Sequence, residues 1–323
     1  MSTATHAPAS PPPPRFSVVI PTYNRADSIL RTLDSCLTQT FADLEIVVVD
    51  DGSGDGTVAM LHGIEDPRLV VVQQENAGPA AARNHGVRVA RGEHIAFLDS
   101  DDRWFPTFLA SAAELLERSP QAVVYGQIVV DRGVGRCWIK PDRALGPDEP
   151  IHDYLYVHGG FIQTSTLVVP RALATRVAWD ERIVYGDNDQ FAIDLHATGA
   201  AFVMLPAPLV LYEDAIRGDA LSQLPIHGLD SPKVTNFFAW MDGQRGRMSE
   251  AAWAGFEARQ KSGALMRADP RTGLASLHRA WRLGALGTGG VARQLLQNVA
   301  PRSYRRLTDL YVRLRGRPMP DTG

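Results

Sequence analysis

Asp99, Ser100, Asp101 and Asp102 follow directly on the apolar run His94-Ile95-Ala96-Phe97-Leu98, which reads as a buried strand. Three carboxylates at the exit of a strand repel one another and cannot all be buried unpaired. A cation is the simplest way to hold them together. Asp99 and Asp101 offer hard oxygen ligands, suited to Mg²⁺ or Mn²⁺ rather than zinc. A cation held by one or two carboxylates keeps positions open for substrate phosphates. The chemistry indicated is that of an enzyme acting on a nucleotide diphosphate. A lone D-x-D triplet in a solvated turn is common; a buried strand leading into this one sets it apart.

A second polar cluster, Asp50-Asp51-Gly52-Ser53-Gly54-Asp55-Gly56-Thr57, invites two comparisons that fail. Its glycines lack the spacing of a dinucleotide-binding loop, and two aspartates stand where a pyrophosphate would approach. It begins like a calcium-binding loop, but the twelfth position holds His62 instead of a bidentate glutamate. What remains is a tight turn capping the next helix through Asp55 or Thr57, with Asp51 left to accept from a base N–H. Asn76-Ala77-Gly78-Pro79 pairs a turn with a helix carrying Arg83. That arginine is either on a solvated face, or helps to neutralise a phosphate or hold an acidic loop.

The elements that position these groups alternate. Phe16–Ile20, Leu44–Val49, Leu69–Val72 and His94–Leu98 read as buried strands. Asn24 and Asp27 resemble a capping box before a helix bearing Ile29, Leu33 and Leu37. Pro79–Ala90 and Phe105–Arg118 read as helices, Thr164–Val169 and Phe202–Leu205 as strands, and Asn188–Thr198 as a helix. Such alternation implies a largely parallel sheet covered on both faces, with ligands bound beyond the strands' carboxyl ends. Pro21-Thr22-Tyr23-Asn24, Asp50-Asp51, Asn76 with Gly78, and the Asp99 cluster all fall at that edge.

A chain of 323 residues with 45% hydrophobic and 21% charged residues has the composition of a globular protein with a substantial core. A net charge of -3 carries no global signature of nucleic-acid binding. Cys36 and Cys137 are too few for a disulfide scaffold or a cysteine-built zinc site. No apolar run is long enough to span a bilayer, and Met1–Arg15 lacks the pattern of a signal peptide, so a cytoplasmic location is expected.

Val18-Val19-Ile20-Pro21-Thr22-Tyr23-Asn24, Gln39-Thr40-Phe41, Glu45 to Ser53, Asn76-x-Gly78, Ala82-Arg83-Asn84 and Phe97 to Asp102 together resemble the family 2 glycosyltransferases. The resemblance runs from about Phe16 to Ser222. It implies the GT-A fold, a Rossmann-like α/β architecture. It also implies inverting transfer of a sugar from a nucleotide diphosphate donor, a UDP-sugar first among them, with Mg²⁺ or Mn²⁺. By position, Pro21, Tyr23 and Asp51 would hold base and ribose, with Thr22, Asn24, Asn76, Gly78 and Arg83 completing the donor site. Asp99 and Ser100 would contact ribose and phosphate, and Asp101 would be the direct metal ligand, with Asp99 as a possible second. Asp187 aligns with the catalytic base, and Asp189 with an acid that caps or braces. Trp104, Gly159, Gly160 and Asp189 are candidates for the acceptor side, with a core tryptophan and a structural glycine loop as the alternatives.

The chain departs from the family pattern twice. Gly186 stands where a glutamate precedes the base, and no histidine occurs from Tyr212 to Ser222, leaving Asp214 as a candidate substitute. Three segments are expected: a disordered proline-rich tail over 1–15, a GT-A domain over 16–225 and a helical region over 226–323. Beyond Arg271, nine arginines, among them Arg293, Arg305, Arg306 and Arg313, face only Asp309 and Asp321 as acids, with leucines interspersed. That segment is either an amphipathic surface for an anionic membrane, near a lipid-linked or other carbohydrate acceptor, or a helical appendage with a solvated basic face. Two other functions stay open. One is a catalytically silent nucleotide-sugar-binding or scaffold protein. The other is a sugar-1-phosphate nucleotidyltransferase, although the basic glycine-rich loop it needs is replaced by Pro21-Thr22-Tyr23-Asn24.

Overall fold

A computed structural model describes residues 12–214 and 232–320. Residues 1–11 of the expected tail, the expected boundary at 225, and the stretch from 215 to Ser222 lie outside them. Arg15 is already held: its N–H donates to Asp43 and its guanidinium to Glu93.

The chain begins as alternating strands and helices: β1 (Phe16–Thr22), α1 (Ile29–Leu37), β2 (Leu44–Asp50), α2 (Thr57–His62), β3 (Leu69–Gln73), α3 (Pro79–Val89) and β4 (His94–Phe97). The next part is more mixed: β5 (Arg103–Trp104), α4 (Phe108–Arg118), β6 (Val123–Asp131), β7 (Arg136–Lys140), α5 (Ile151–Tyr156), β8 (Val168–Pro170), α6 (Arg171–Val177), α7 (Asp187–Ala197) and β9 (Phe202–Glu213). Then follow α8 (Pro232–Gln244), α9 (Glu250–Phe256), a π turn over Glu257–Lys261, α10 (Ser262–Ala268), α11 (Pro270–Arg282), α12 (Thr288–Val299), α13 (Pro301–Arg315) and β10 (Arg317–Pro318).

One sheet carries the molecule, in the order β10-β7-β6-β8-β4-β1-β2-β3, with β9 beside β6 and β5 beside β9. The half formed by β3, β2, β1 and β4 is parallel. From β4 onward β8, β6 and β7 pair antiparallel, while β9 runs parallel to β6. Every residue of β1 and β2 is buried, as continuous apolar runs require when helices cover both faces. Phe16, Val18 and Ile20 point to the face packed by α1 and α4, and Val19 to the face shared with Phe97 and Phe191. Helix α3 lies so close on β1 that a Cβ on Gly86 would come 2.4 Å from Val19.

Three local expectations change. Ser28, not Asn24, precedes α1, and no side chain caps that helix. Residues Thr164–Thr166 form a 3₁₀ turn, so the strand expected there is only Val168–Pro170. The helix expected from Phe105 begins at Phe108, because Arg103 and Trp104 pair with β9 first.

Helices α8 and α9 complete the main core, with Phe237, Met241 and Phe256 packed with Tyr156 and Phe191. Helix α13 is tied to the sheet at its far edge. Arg132 at the end of β6 pairs with both Asp309 and Asp214, Arg305 donates to the Asp214 carbonyl at 2.7 Å, and β10 pairs with β7. No helix among the described residues is long and apolar enough to cross a membrane.

Candidate active site

A cleft of about 1930 Å³ opens beyond the carboxyl ends of β1, β2 and β4, and every candidate residue except Trp104 lines it. Its nucleotide end is built by cross-linking loops. Asn24, at φ 50°, donates its N–H to Ser53 Oγ at 2.8 Å and accepts from Gly54 N–H through Oδ1, also at 2.8 Å. This tertiary partnership takes the groups a capping box would have used. Asp51 is not left open as expected: its carboxylate accepts from Gln74 Nε2 and from the N–H groups of Ala77 and Gly78, all at 2.8 Å. A carboxylate has about four acceptor directions, so one, on Oδ2, remains for a base N–H. Asn76 Nδ2 closes the same turn onto the Asp51 carbonyl, and Gly78 supplies its φ of 94°. Asp55 accepts from Thr57 N–H at the start of α2, but from one residue ahead of the cap position, which Gly56 occupies.

The turn after β4 is clamped from below. Ser165 Oγ and Gln163 Nε2 donate to the buried Asp102 carboxylate at 2.6 and 2.9 Å, and Ser165 Oγ also accepts from Asp99 N–H at 3.0 Å. Burial first, then Asp101 and Asp99, push the Asp102 carboxyl well above the ordinary range. Asp102 is therefore the anchor of the turn. Ser165 joins the site although its only sequence signal was the short polar stretch around it. Asp101 is the most open acid of the group, with its side chain 38% exposed and Arg25 Nε at 3.8 Å. Asp99 and Asp101 would suit a hard divalent cation, of the kind held by one or two carboxylates. Among the described residues no three acidic, histidine or cysteine side chains converge into a ready-made cage.

Arg83 lies behind this turn, on α3, and is not a solvated residue. Its guanidinium is buried over the Trp179 ring at 4.5 Å and donates at 2.7 Å to Asp99 Oδ1 and at 2.7 Å to Asp187 Oδ2. Burial opposes its charge, but Asp99 and Asp187 outweigh burial and raise its pKa. Arg83 thus holds the acidic loop. Two of its N–H groups are engaged there, which weighs against the expected contact with a departing phosphate.

Asp187 opens α7, yet Gly186 occupies the cap position and no side-chain cap bond is made. The Asp187 carboxylate is directed to Arg83, with its other oxygen accepting from Asn188 N–H at 3.0 Å. Burial raises its pKa, Arg83 pulls it back, and Asp99 adds to the rise. Two residues on, Asp189 accepts from Tyr156 Oη at 2.8 Å, a brace that places it beside α5. Its pKa is pushed up to about 6, chiefly by burial.

On the acceptor side, Gly159 sits at φ 68°, and a Cβ on Gly160 would fall 2.5 Å from the Tyr154 ring. Packing against Tyr154 therefore explains the second glycine without a ligand. Of the two readings of Trp104, the core one holds, and its place on the acceptor side is dropped. It is buried, stacks on Phe108 at 4.3 Å and donates Nε1–H to the Ser165 carbonyl, because β5 turns it inward. Asp214 pairs with Arg132 and Arg305 at the α13 contact, which argues against its standing in for a histidine.

A polar cleft at the carboxyl ends of a β3-β2-β1-β4 sheet, with a D-x-D turn and a buried carboxylate facing it across one arginine, defines a GT-A glycosyltransferase. The chain belongs to glycosyl transferase family 2, whose sequence profile matches residues 17–179. It is 31% identical over 241 residues to the amylovoran biosynthesis glycosyltransferase AmsB of Erwinia amylovora, covering 71% of this chain and 77% of AmsB. It is 34% identical over 117 residues to WfaP of Escherichia coli, a UDP-Glc:alpha-D-GlcNAc-diphosphoundecaprenol beta-1,3-glucosyltransferase, covering 36% of this chain and 47% of WfaP. In fold it resembles the mannosyltransferase PcManGT of Pyrobaculum calidifontis, solved with GDP-Man and Mn²⁺, at a TM-score of 0.56 and 22% identity over 93% of this chain and 85% of that one.

Proposed function

We propose that this glycosyltransferase moves a sugar with inversion from a nucleotide diphosphate donor, a UDP-sugar foremost, to a hydroxyl of a carbohydrate or lipid-linked acceptor. The observation that carries the reading is the Asp187 carboxylate, held facing the cleft by the same guanidinium that holds Asp99. Asp51, with its remaining acceptor direction, and Tyr23 receive the base. Asp101, with Asp99 beside it, would hold Mg²⁺ or Mn²⁺. That cation, when bound, supplies charge neutralisation for the departing diphosphate.

Asp187 does the proton chemistry. The acceptor oxygen attacks the anomeric carbon from the face opposite the diphosphate. The new C–O bond forms as the bond from the anomeric carbon to phosphate oxygen breaks, and the hydroxyl proton passes to the Asp187 carboxylate. Burial makes that carboxylate more basic than an ordinary aspartate, which suits the role. The WfaP acceptor supports a lipid diphosphate-linked acceptor here. We place the protein in the cytoplasm, at the inner face of the membrane.

Two variants test this with a panel of nucleotide sugars, read by thermal shift with and without Mn²⁺. Asp187→Asn is expected to keep donor-induced stabilisation and lose transfer by about 10²–10⁴-fold. Asp101→Ala is expected to lose the Mn²⁺-dependent part of the stabilisation together with transfer. Turnover like the wild type in either variant would remove the role assigned to that residue.

A further inference from the structure

The wall of the cleft opposite the aspartates is basic. Lys140 ends β7, Arg259 lies in the π turn and Arg293 on α12, and all three line the cleft. Lys140 stands over the Trp138 ring at 4.9 Å. Arg259 is fixed by backbone carbonyls alone, those of Tyr156 at 3.1 Å, Val157 at 3.4 Å and Ala285 at 3.3 Å. Among the described residues, none of the three has a carboxylate at ion-pair distance. Asp142 and Asp214 act on Lys140 only from farther off, and Asp214 is already paired with Arg132 and Arg305. Enclosure by the cleft walls, then repulsion from Arg293, lowers the pKa values of both Lys140 and Arg259.

Like charges gathered on one wall of a cleft with no carboxylate at ion-pair distance are unfavourable until an anion arrives. The donor diphosphate is not well placed to be that anion. Lys140 is three strand pairings from Trp104, which follows the D-x-D turn: Lys140 to Ile128, Ile128 to Val210 and Val210 to Trp104, about 14 Å along the sheet at the usual strand spacing of ~4.8 Å. The interval leaves room for the sugars being joined. We propose that Lys140, Arg259 and Arg293 form an acceptor-side anion subsite, which takes the phosphate or diphosphate of an acceptor sugar already carrying a phosphoryl group. The assignment rests on the proposal that the aspartate end of the cleft takes the donor. The anion has two sources with the same chemistry: a free sugar phosphate, or the headgroup of a lipid-linked sugar.

Calorimetric titration of the full chain tests this, with inorganic pyrophosphate and farnesyl diphosphate as probes in EDTA and, in a separate buffer free of EDTA, UDP with Mn²⁺ as the donor-side control. Lys140 and Arg293 are both exposed to the cleft, so their alanine variants keep the core intact. Loss of one charge-assisted contact is expected to weaken pyrophosphate binding about tenfold in either variant, with more in the double variant. Lys140→Arg restores it, and UDP binding stays unchanged throughout. Tighter binding of farnesyl diphosphate than of pyrophosphate assigns a lipid source and equal binding a free phosphate; both support the subsite. Unchanged pyrophosphate binding in the double variant overturns it, as does a parallel loss of UDP binding, which would place these residues in the donor site. Failure of UDP and Mn²⁺ to bind the wild type would instead count against the donor reading.

Discussion

Arg83 joins Asp99 and Asp187, donating at 2.7 Å to each, although the two acids lie on different elements and far apart in the sequence. One guanidinium therefore sets both the D-x-D turn and the candidate base. Trp179 holds its flat face and is itself stacked on Phe191 at 4.0 Å. The planar fork of arginine can serve two carboxylates at once, which a lysine ammonium does less well.

Removing that fork leaves two acids without their shared cation. Arg83→Met is expected to lower unfolding free energy by about 3–5 kcal/mol, the usual cost of breaking a buried pair from one side, read from a denaturant midpoint. Arg83→Lys is expected to fold, keep donor affinity and lose transfer, because Asp187 is no longer directed. Full turnover in Arg83→Lys would show that orientation of Asp187 by the fork is unimportant.

Much of the parallel half was legible because β1, β2 and β4 are buried on both faces and so are written as apolar runs with polar residues at their ends. Asn24 misled for a local reason: its spacing to Asp27 fits a cap, while its partners, Ser53 and Gly54, come from another loop. Trp104 stayed open between cleft and core because its direction is set by a two-residue strand pairing with β9, about a hundred residues on. Arg83 allowed two readings until Asp187 was placed against it. The basic wall of Lys140, Arg259 and Arg293 had no sequence signature, since three distant elements supply one residue each.

Gly186 departs from the family's glutamate for a visible reason. Its φ is 76°, and a Cβ would lie 2.7 Å from the Phe237 ring. Helix α8 occupies the space where the longer side chain would stand. Gly186→Ala is expected to cost about 2–4 kcal/mol, combining left-handed strain with overpacking. Adding Phe237→Leu should recover part of that loss. An alanine variant as stable as the wild type in a melting experiment would show that α8 does not restrict this position.

The membrane contact proposed above would fall on helix α13. Leu307, Leu310, Tyr311 and Leu314 recur at helical spacing, each more than half exposed, while Val312, Arg305 and Asp309 secure the other side to the sheet. Exposed Arg306 and Arg313 accompany that apolar face. Flotation with vesicles rich in phosphatidylglycerol is expected to carry the wild type upward, more weakly at high salt. The Leu310→Glu and Leu314→Glu double variant should stay behind while keeping its melting temperature. Absence of the wild type from the vesicle fraction would leave α13 as an appendage with a solvated basic face.

Asp189 predicts a pH dependence opposite to that of most carboxylates. Its pKa is about 6 in the folded protein, chiefly through burial, against an ordinary 3.8. Below about pH 4 both folded and unfolded chains hold the proton, and the group is neutral to stability. Between the two values the folded chain holds a proton that the unfolded chain has lost, so stability falls as pH rises. Above about 6 both are ionised, and the folded chain carries the full cost of a buried charge, on the order of 2–3 kcal/mol. Asp189→Asn keeps an acceptor for Tyr156 Oη and removes the titration. Its stability relative to the wild type is expected to climb from pH 4 to 6 and then level off. Denaturant titrations at half-unit pH steps would show it, and a difference that stays flat across this window would mean that Asp189 keeps an ordinary pKa behind the Tyr156 hydrogen bond.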